Sequence, residues 1–538
     1  MPSTAKLLDM IARAHSGAQA LNSVQAFSTK QRLDLKTYLA VINAFVDRDF
    51  RGEAIDLLFK ANELFGPTLE IFMQSGEIAF RLKLYDIAAK FFTLACQTAP
   101  NMAINYYYLA ECFRHLQNYS DAKTILEAAI QQFTDNSLLH LSMSKLAFEG
   151  YRDHDAAFEH AHKAQQLDDA NTQCHLQLGN LYYCGEYAQT WYREGLRLDP
   201  DNPEIRKALG MALLFDGRMD EAWPFYESRL DCADYDFRYD APIGKRKNYE
   251  ASDKGPILLL GEQGIGDELI FGFLVADFVK ECSDVYIACE PRLVPIYERN
   301  LPSAKVFAYH DTFDHGRRTR TIPVLTDQIK ARKLKPPRQH IYVGSLMQRY
   351  WRTMDDLQKR KMHLMQPCRK KVEHFKKYIR DPERKAVGIS WTSENLKGVR
   401  AKEYYGYDLF LELADRTDAD FYILQYNCPE DVKAKLCEHP NIFAFDDVDL
   451  RNDIEANLAI ISLLDITVGP FIATQSFAAS AGTPVIALHG YKAFFMFGSE
   501  FLPSIYPSGS RWLLDYHAQG RSIEAVIADI ADCLDQTV

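Results

Sequence analysis

Small and large apolar residues recur along residues 34–230 at a spacing that neither a strand nor one long helix produces. Ala54, Leu58 and Ala61 are followed by Ala88, Phe92 and Ala95, then by Ala122, Leu126 and Ala129, each set 34 residues beyond the last. Within a set the spacing marks one helix face. A second small position, Gly76 and then Ala110, keeps the same displacement, and Pro100 closes one period. Three further periods vary in length. One slips by a residue through Ser144, Ala157, Ala161 and Ala164, one runs from Gly179 to Pro200 about three residues short, and the last uses Gly210, Ala222 and Tyr226. Small side chains let antiparallel helices approach, while Phe92 or Leu126 fills the gap to the next pair. A phase held this long predicts a stacked array of about six helical hairpins, with a helical cap over residues 1–33 and a groove suited to a protein partner.

The rhythm then changes. Residues 231–254 are polar and aperiodic, and read as a linker. Beyond them, short apolar runs alternate with helix-length segments: 256–260, 284–290, 305–310, 341–345, 386–391, 420–426, 442–445, 466–470 and 484–490. This alternation predicts βαβ units and parallel sheets. A charged stretch over residues 352–385 divides the runs into two doubly wound α/β half-domains, 255–380 and 381–538, with a ligand cleft beyond the carboxyl ends of the strands.

Composition narrows the function. Hydrophobic residues make up 47% and charged residues 25% of the 538, as in ordinary globular proteins. Lys and Arg number 62 against 73 Asp and Glu, a net charge of -11, opposite to the balance of a dedicated nucleic-acid binder. The 11 cysteines include no C-x-x-C and no zinc-type spacing, which predicts a reducing compartment and no structural metal. Lys6, Asp9 and Arg13 interrupt any secretory leader, and no apolar run reaches the ~18 residues of a membrane span. A cytoplasmic protein without a membrane span is expected.

The sharpest local pattern is PILLLGEQGIGDELIF, a strand, a glycine-rich turn and a helix opening near Asp267. Gly261, Gly264 and Gly266 permit a close backbone approach, and a helix N-terminus favours an anion. A P-loop is excluded because no lysine follows Gly266, and a dinucleotide fingerprint is half present, with Leu269 at its third glycine position. Asp267 is either a general base for an acceptor hydroxyl or a helix cap. Asp418 and Asp420 have the D-x-D form of metal-dependent sugar transferases, but their place just before a strand favours a turn or cap. Residues 316–338 carry eight basic side chains against one acidic, an anion-attracting stretch or a solvated loop.

The repeat resembles the tetratricopeptide repeat in its period and in its small–small–aromatic–small–proline order. GEQGIGDELIF, followed by Glu290-Pro291-Arg292-Leu293, Arg299-Asn300-Leu301-Pro302, YVGSLMQRY, AVGISW, YILQY and GPFIATQSFAASAGTPVIAL, resembles bacterial glycosyltransferases with N-terminal tetratricopeptide repeats and a heptosyltransferase-like GT-B catalytic part. The resemblance implies a repeat solenoid followed by a GT-B module, with the acceptor on the half before residue 380 and a nucleotide-sugar on the half after it. It implies Asp267 as the base and Lys397, Arg400 or Lys402 as neutralisers of the donor phosphate. It places the rest of the donor site at Trp391, Thr392 and Gln425, at Gly469-Pro470, and at a helix start carrying Thr474 and Ser476. The Asp-Thr pair and downstream His of heptosyltransferases are replaced here by Phe471, Ile472 and Ser476, so their donor does not carry over.

The expected function is therefore transfer of a sugar from a nucleotide donor to Ser or Thr of a protein captured by the repeats, without a metal or other cofactor. Similar proteins act on flagellin with CMP-linked nonulosonic acids such as pseudaminic or legionaminic acid, and this donor and acceptor come from the resemblance alone. The alternatives are a lipopolysaccharide or capsule transferase and a non-catalytic repeat scaffold with a GT-B relic; an NAD-dependent enzyme ranks last.

Overall fold

The computed structural model describes residues 2–28, 32–182, 184–232, 235, 237–246, 255–314, 317–359, 364–381, 383–394, 404–489, 506–514 and 522–536. The chain divides into two compact units, Met1–Ile205 with Thr312–Thr319, and Arg206–Asp311 with Arg320–Val538.

The first unit is a helical-repeat solenoid. Its helices pair as Pro2–Arg13 with Gly17–Ser28, Leu35–Asp47 with Arg51–Phe65, Leu69–Arg81 with Tyr85–Thr98, Ala103–His115 with Tyr119–Gln132, Ser137–Leu146 with His154–Leu167, and Thr172–Tyr182 with Gly185–Leu198. The periodic alanines 54, 88, 122 and 157 are fully buried. A Cβ on Gly76 would lie 2.7 Å from the Phe92 ring, which explains the small residue opposite the large one. Hairpin turns place Asp49, Lys83, Gln117 and Arg152 in the left-handed region, at φ 58, 61, 60 and 54°. The one-residue slip is absorbed by a π-helical turn at Ala147–Tyr151, which holds an additional residue without breaking the helix. Arg81 joins successive hairpins by bonding Asn43 and Asp47, and Arg114, held by Glu111 of its own helix, does so by bonding Glu149. Tyr108 stacks on Phe92 at 4.8 Å, and Tyr106 packs against Phe133.

The last repeat, Pro203–Phe215 with Met219–Tyr226, belongs from Arg206 onward to the second unit. Its helices meet closely, since a Cβ on Gly210 would fall 2.5 Å from the Tyr226 nitrogen. Trp223 Nε1 donates to the Trp351 carbonyl at 2.7 Å.

Two parallel sheets follow. The first orders its strands as Lys245–Arg246, Gln339–Tyr342, Ile257–Leu260, Val285–Cys289 and Lys305–Ala308. The second runs Ile442–Phe443, Ala419–Ile423, Lys385–Ile389, Ile466–Pro470, Val485–His489 and Arg511–Leu514. The central strands Ile257–Leu260, Val285–Cys289, Ala419–Ile423 and Ile466–Pro470 are buried along their whole length, as parallel strands covered on both faces must be. The strand Arg511–Leu514 was not expected from the pattern. Gly469 and Pro470, which the resemblance places in the donor site, end the strand Ile466–Pro470. Beyond Val468 that strand pairs only with Val485–His489, so the missing N–H of Pro470 is tolerated there.

The two sheets meet through helix Ile265–Ile270 against helix Ala473–Ala481. A Cβ on Gly266 would lie 3.0 Å from the Ala473 Cα and 3.2 Å from Ser476 Oγ. Arg299 Nη1 pairs with Glu455 Oε1 at 2.5 Å, and Ser480 Oγ donates to the Leu269 carbonyl at 3.2 Å.

Candidate functional site

A cavity of about 550 Å³ opens between the carboxyl ends of the two sheets. Ile265 comes from the helix after the glycine turn, Glu290 and Arg292 from the end of Val285–Cys289, and Glu394 and Tyr426 from the loops after Lys385–Ile389 and Ala419–Ile423. Leu450 to Asn457 form the far wall, and Ala473, Thr474 and Phe477 of helix Ala473–Ala481 close the site.

Two cations face this space. Arg292 Nε bonds Glu290 Oε1 and its Nη1 donates to the Arg451 carbonyl, both at 2.7 Å, so it bridges from one sheet to the other. Arg451 Nη2 pairs with Glu394 Oε1 at 2.7 Å. Tyr426 is held with its hydroxyl accepting from the Glu394 N–H at 2.8 Å. The nine-residue helix Ala473–Ala481 starts from Ile472, which provides no side-chain cap. The Gln475 N–H bonds the Ile472 carbonyl at 3.1 Å, while Ala473 and Thr474 line the cavity beside two guanidinium groups, each paired with a carboxylate of the wall; such a helix start suits a phosphate.

Gln263 sits at φ 61° and Gly264 opens the helix Ile265–Ile270. Asp267 Oδ2 accepts the Gly264 N–H at 3.2 Å, so its carboxylate caps its own helix. Two tyrosines stand near it. Burial raises the phenol pKa of Tyr226 and of Tyr506, and the Asp267 charge raises both further. Asp267 is not in the cavity wall, whereas Ile265, on the opposite side of the same helical turn, is. Gly261 leaves room for Glu268, whose carboxylate a Cβ would meet at 2.3 Å. Gly266 leaves room for Ala473, so both of these glycines serve packing within the protein.

Gln425 is buried and its carboxamide is occupied. Oε1 accepts from the N–H groups of Trp391 and Thr392 at 2.9 and 3.0 Å, and Nε2 donates to the Thr392 carbonyl and to Asn427. It pins the loop behind the cavity and presents no free group to it. Trp391 packs in the core of the second sheet with Phe410. Thr474 lines the cavity, and Ser476 faces Gly266. Lys397, Arg400 and Lys402 lie outside the described residues. Asp418 and Asp420 both pair with Arg384, at 2.6 and 2.8 Å, which accounts for the D-x-D as an ion-pair clamp at a strand start. Among the described residues no group of three or more His, Cys, Asp or Glu is arranged to hold a metal. No described helix is long and apolar enough to cross a membrane.

Tyr426, Arg451 and Glu394 were not singled out from the sequence. Each follows the carboxyl end of a strand or precedes a helix in the second sheet, and reading the residues just after every strand would have found Tyr426 and Glu394.

No protein-family model matches the chain. Protein FlbA of Caulobacter vibrioides is 27% identical over 451 residues, covering 80% of this chain and 73% of FlbA. Among solved structures, yeast Tom70 is similar with a TM-score of 0.35 and 18% identity, over 42% of this chain and 50% of Tom70. The chain thus matches half the length of Tom70. YrrB, a TPR protein, gives 0.24 at 15% identity over 34% of this chain and 94% of its own.

Proposed function

We propose that the second unit is a GT-B glycosyltransferase module that takes a nucleotide-activated sugar into the cavity between its sheets and transfers the sugar to Ser or Thr of a protein held by the repeats. The cavity carries this reading. It gathers residues from the carboxyl ends of both parallel sheets, where ligands of doubly wound folds bind. The open amides of helix Ala473–Ala481, with Arg292 and Arg451, stabilise the charge that grows on the phosphate as the sugar leaves. The Tyr426 ring offers a stacking surface for the base. In the transfer, the acceptor oxygen forms its bond to the anomeric carbon, the bond from that carbon to the phosphate oxygen breaks, and the acceptor proton passes to a carboxylate. Asp267 is assigned that role. The CMP-linked nonulosonic acid and the flagellin acceptor remain the substrates that the resemblance implies, and the repeats supply the partner site.

Two observations favour a scaffold without catalysis, namely the bond that makes Asp267 a cap and its place outside the cavity wall. Asp267→Ala decides between the two. As a catalytic base its loss lowers transfer by 100-fold or more, since general base catalysis contributes about 10²–10⁴, while nucleotide binding is retained. In a scaffold the unaltered chain transfers no sugar, and loss of the Asp267 cap lowers only thermal stability, by about 1 kcal/mol.

A further inference from the structure

Two guanidinium groups reach the glycine turn from outside its strand. Arg229, in the turn Glu227–Asp231 that ends the last repeat hairpin, is 4% exposed. Its Nε and Nη2 grip Glu262 Oε2 and Oε1 at 3.1 and 2.9 Å, and Nη1 holds Glu227 at 2.9 Å. Glu262 is fully buried and also accepts the Gly344 N–H at 2.5 Å. Burial opposes the Arg229 charge, and the Glu262 carboxylate more than offsets this, so the guanidinium stays firmly protonated. On the other side Arg320, also fully buried, donates to the carbonyls of Gly261 and Gln263 at 2.7 and 3.0 Å. Within the turn Arg320 binds backbone oxygens, and its ion pairs go to Asp311 and Glu268 outside it. Arg229 neutralises an acidic side chain of the turn itself, which would otherwise be buried uncompensated.

We propose that Arg229 is a positioning residue of the transfer site: from the last repeat hairpin it fixes Glu262, and through Glu262 the backbone 261–266 on which Asp267 stands. The consequence for turnover rests on the transferase reading, whereas the bracing of the turn does not. The last repeat hairpin then serves the transfer site and not the acceptor groove.

The test uses the full chain with Arg229→Lys, which keeps the charge but loses the fork, and Arg229→Met, which loses both. Arg349→Lys, at the partly exposed pair with Glu281, is the control. Amide hydrogen exchange is read at residues 261–266 and at the strand Lys385–Ile389. Turnover and nucleotide affinity are read with whichever of CMP-, UDP- or GDP-sugar the unaltered chain hydrolyses or transfers. Arg229→Lys should speed exchange at 261–266 at least tenfold with Lys385–Ile389 within twofold, and lower kcat at least tenfold with nucleotide affinity within threefold. Arg229→Met should exceed it in both, and Arg349→Lys should change neither. Exchange unchanged at 261–266, or raised equally in both segments, overturns the proposal, as does local loosening with kcat unchanged. If the unaltered chain acts on no sugar nucleotide, the transferase reading and the positioning role fall, and the exchange pattern alone then decides whether Arg229 braces the turn.

Discussion

Glu111 and Glu268 are both buried carboxylates, and their neighbours drive them in opposite directions. Burial raises Glu111, but Arg114, Lys145 and the Ser142 hydroxyl bring it down to about 2. Burial likewise raises Glu268, and Arg320, Tyr309 and the Glu290 N–H offset only part of that, leaving it at about 7. The consequences have opposite sign. A depressed carboxylate contributes stability above its unfolded pKa and loses it as pH falls, so Glu111 weakens the repeats progressively as pH drops from about 4.5 to about 2. A raised carboxylate contributes stability below its unfolded value and loses it as pH rises through the folded one. The second unit should therefore lose up to about 3 kcal/mol between pH 5 and 8, at about 1.4 kcal/mol per pKa unit. Denaturant unfolding followed across that range should show the slope, and Glu268→Gln should flatten it. A flat profile in the unaltered chain would contradict the assignment. Neither carboxylate was legible in the sequence, because each environment draws on distant segments: Ser142 and Lys145 lie a repeat away from Glu111, and Tyr309 and Arg320 lie far along the chain from Glu268. The occupation of Gln425 by Trp391 and Thr392 was hidden for the same reason. Asp267, by contrast, could be placed at a strand-to-helix turn from its immediate neighbours.

At the scale of elements, local patterns carried far. The 34-residue phase of Ala54, Ala88 and Ala122 locates the helices because one period fixes both faces of a hairpin, and the apolar runs locate the central strands because parallel strands are buried on both faces. The edge strands Lys245–Arg246 and Arg511–Leu514 escaped because they are short or polar. The reasons behind the glycines were hidden as well, since they depend on which elements meet. Gly264 and Gly266 look alike in G-I-G-D, yet a Cβ on Gly264 finds nothing nearer than Asp267 Oδ2 at 3.6 Å, while one on Gly266 meets the Ala473 backbone at 3.0 Å. Gly266→Ala should therefore cost about 1–3 kcal/mol, the usual range for overpacking, whereas Gly264→Ala should stay within about 0.5 kcal/mol. Paired thermal melts of the two variants check this, and equal losses would contradict the packing of helix Ile265–Ile270 on Ala473–Ala481.

For the whole molecule, the sequence supports a repeat array followed by two parallel α/β halves, and the structure adds where the halves make a site. The cavity is built from loop and helix residues beside both sheets, so no single motif contains it. A cavity that receives a nucleotide must be stabilised by one. The most direct test is a thermal-shift and calorimetry panel of CMP, UDP, GDP, ADP and NAD on the full chain, on Arg451→Ala, and on Ala473→Pro. The last removes one open amide at a helix position where proline is tolerated. A ligand that binds only the folded protein raises its apparent stability by about 2.7 kcal/mol at a hundredfold excess over Kd. One of CMP, UDP or GDP should raise the melting temperature and bind at least tenfold more weakly to both variants, with CMP supporting the nonulosonic-acid donor. Silence from all five nucleotides, or binding that both variants leave unchanged, would contradict the nucleotide site.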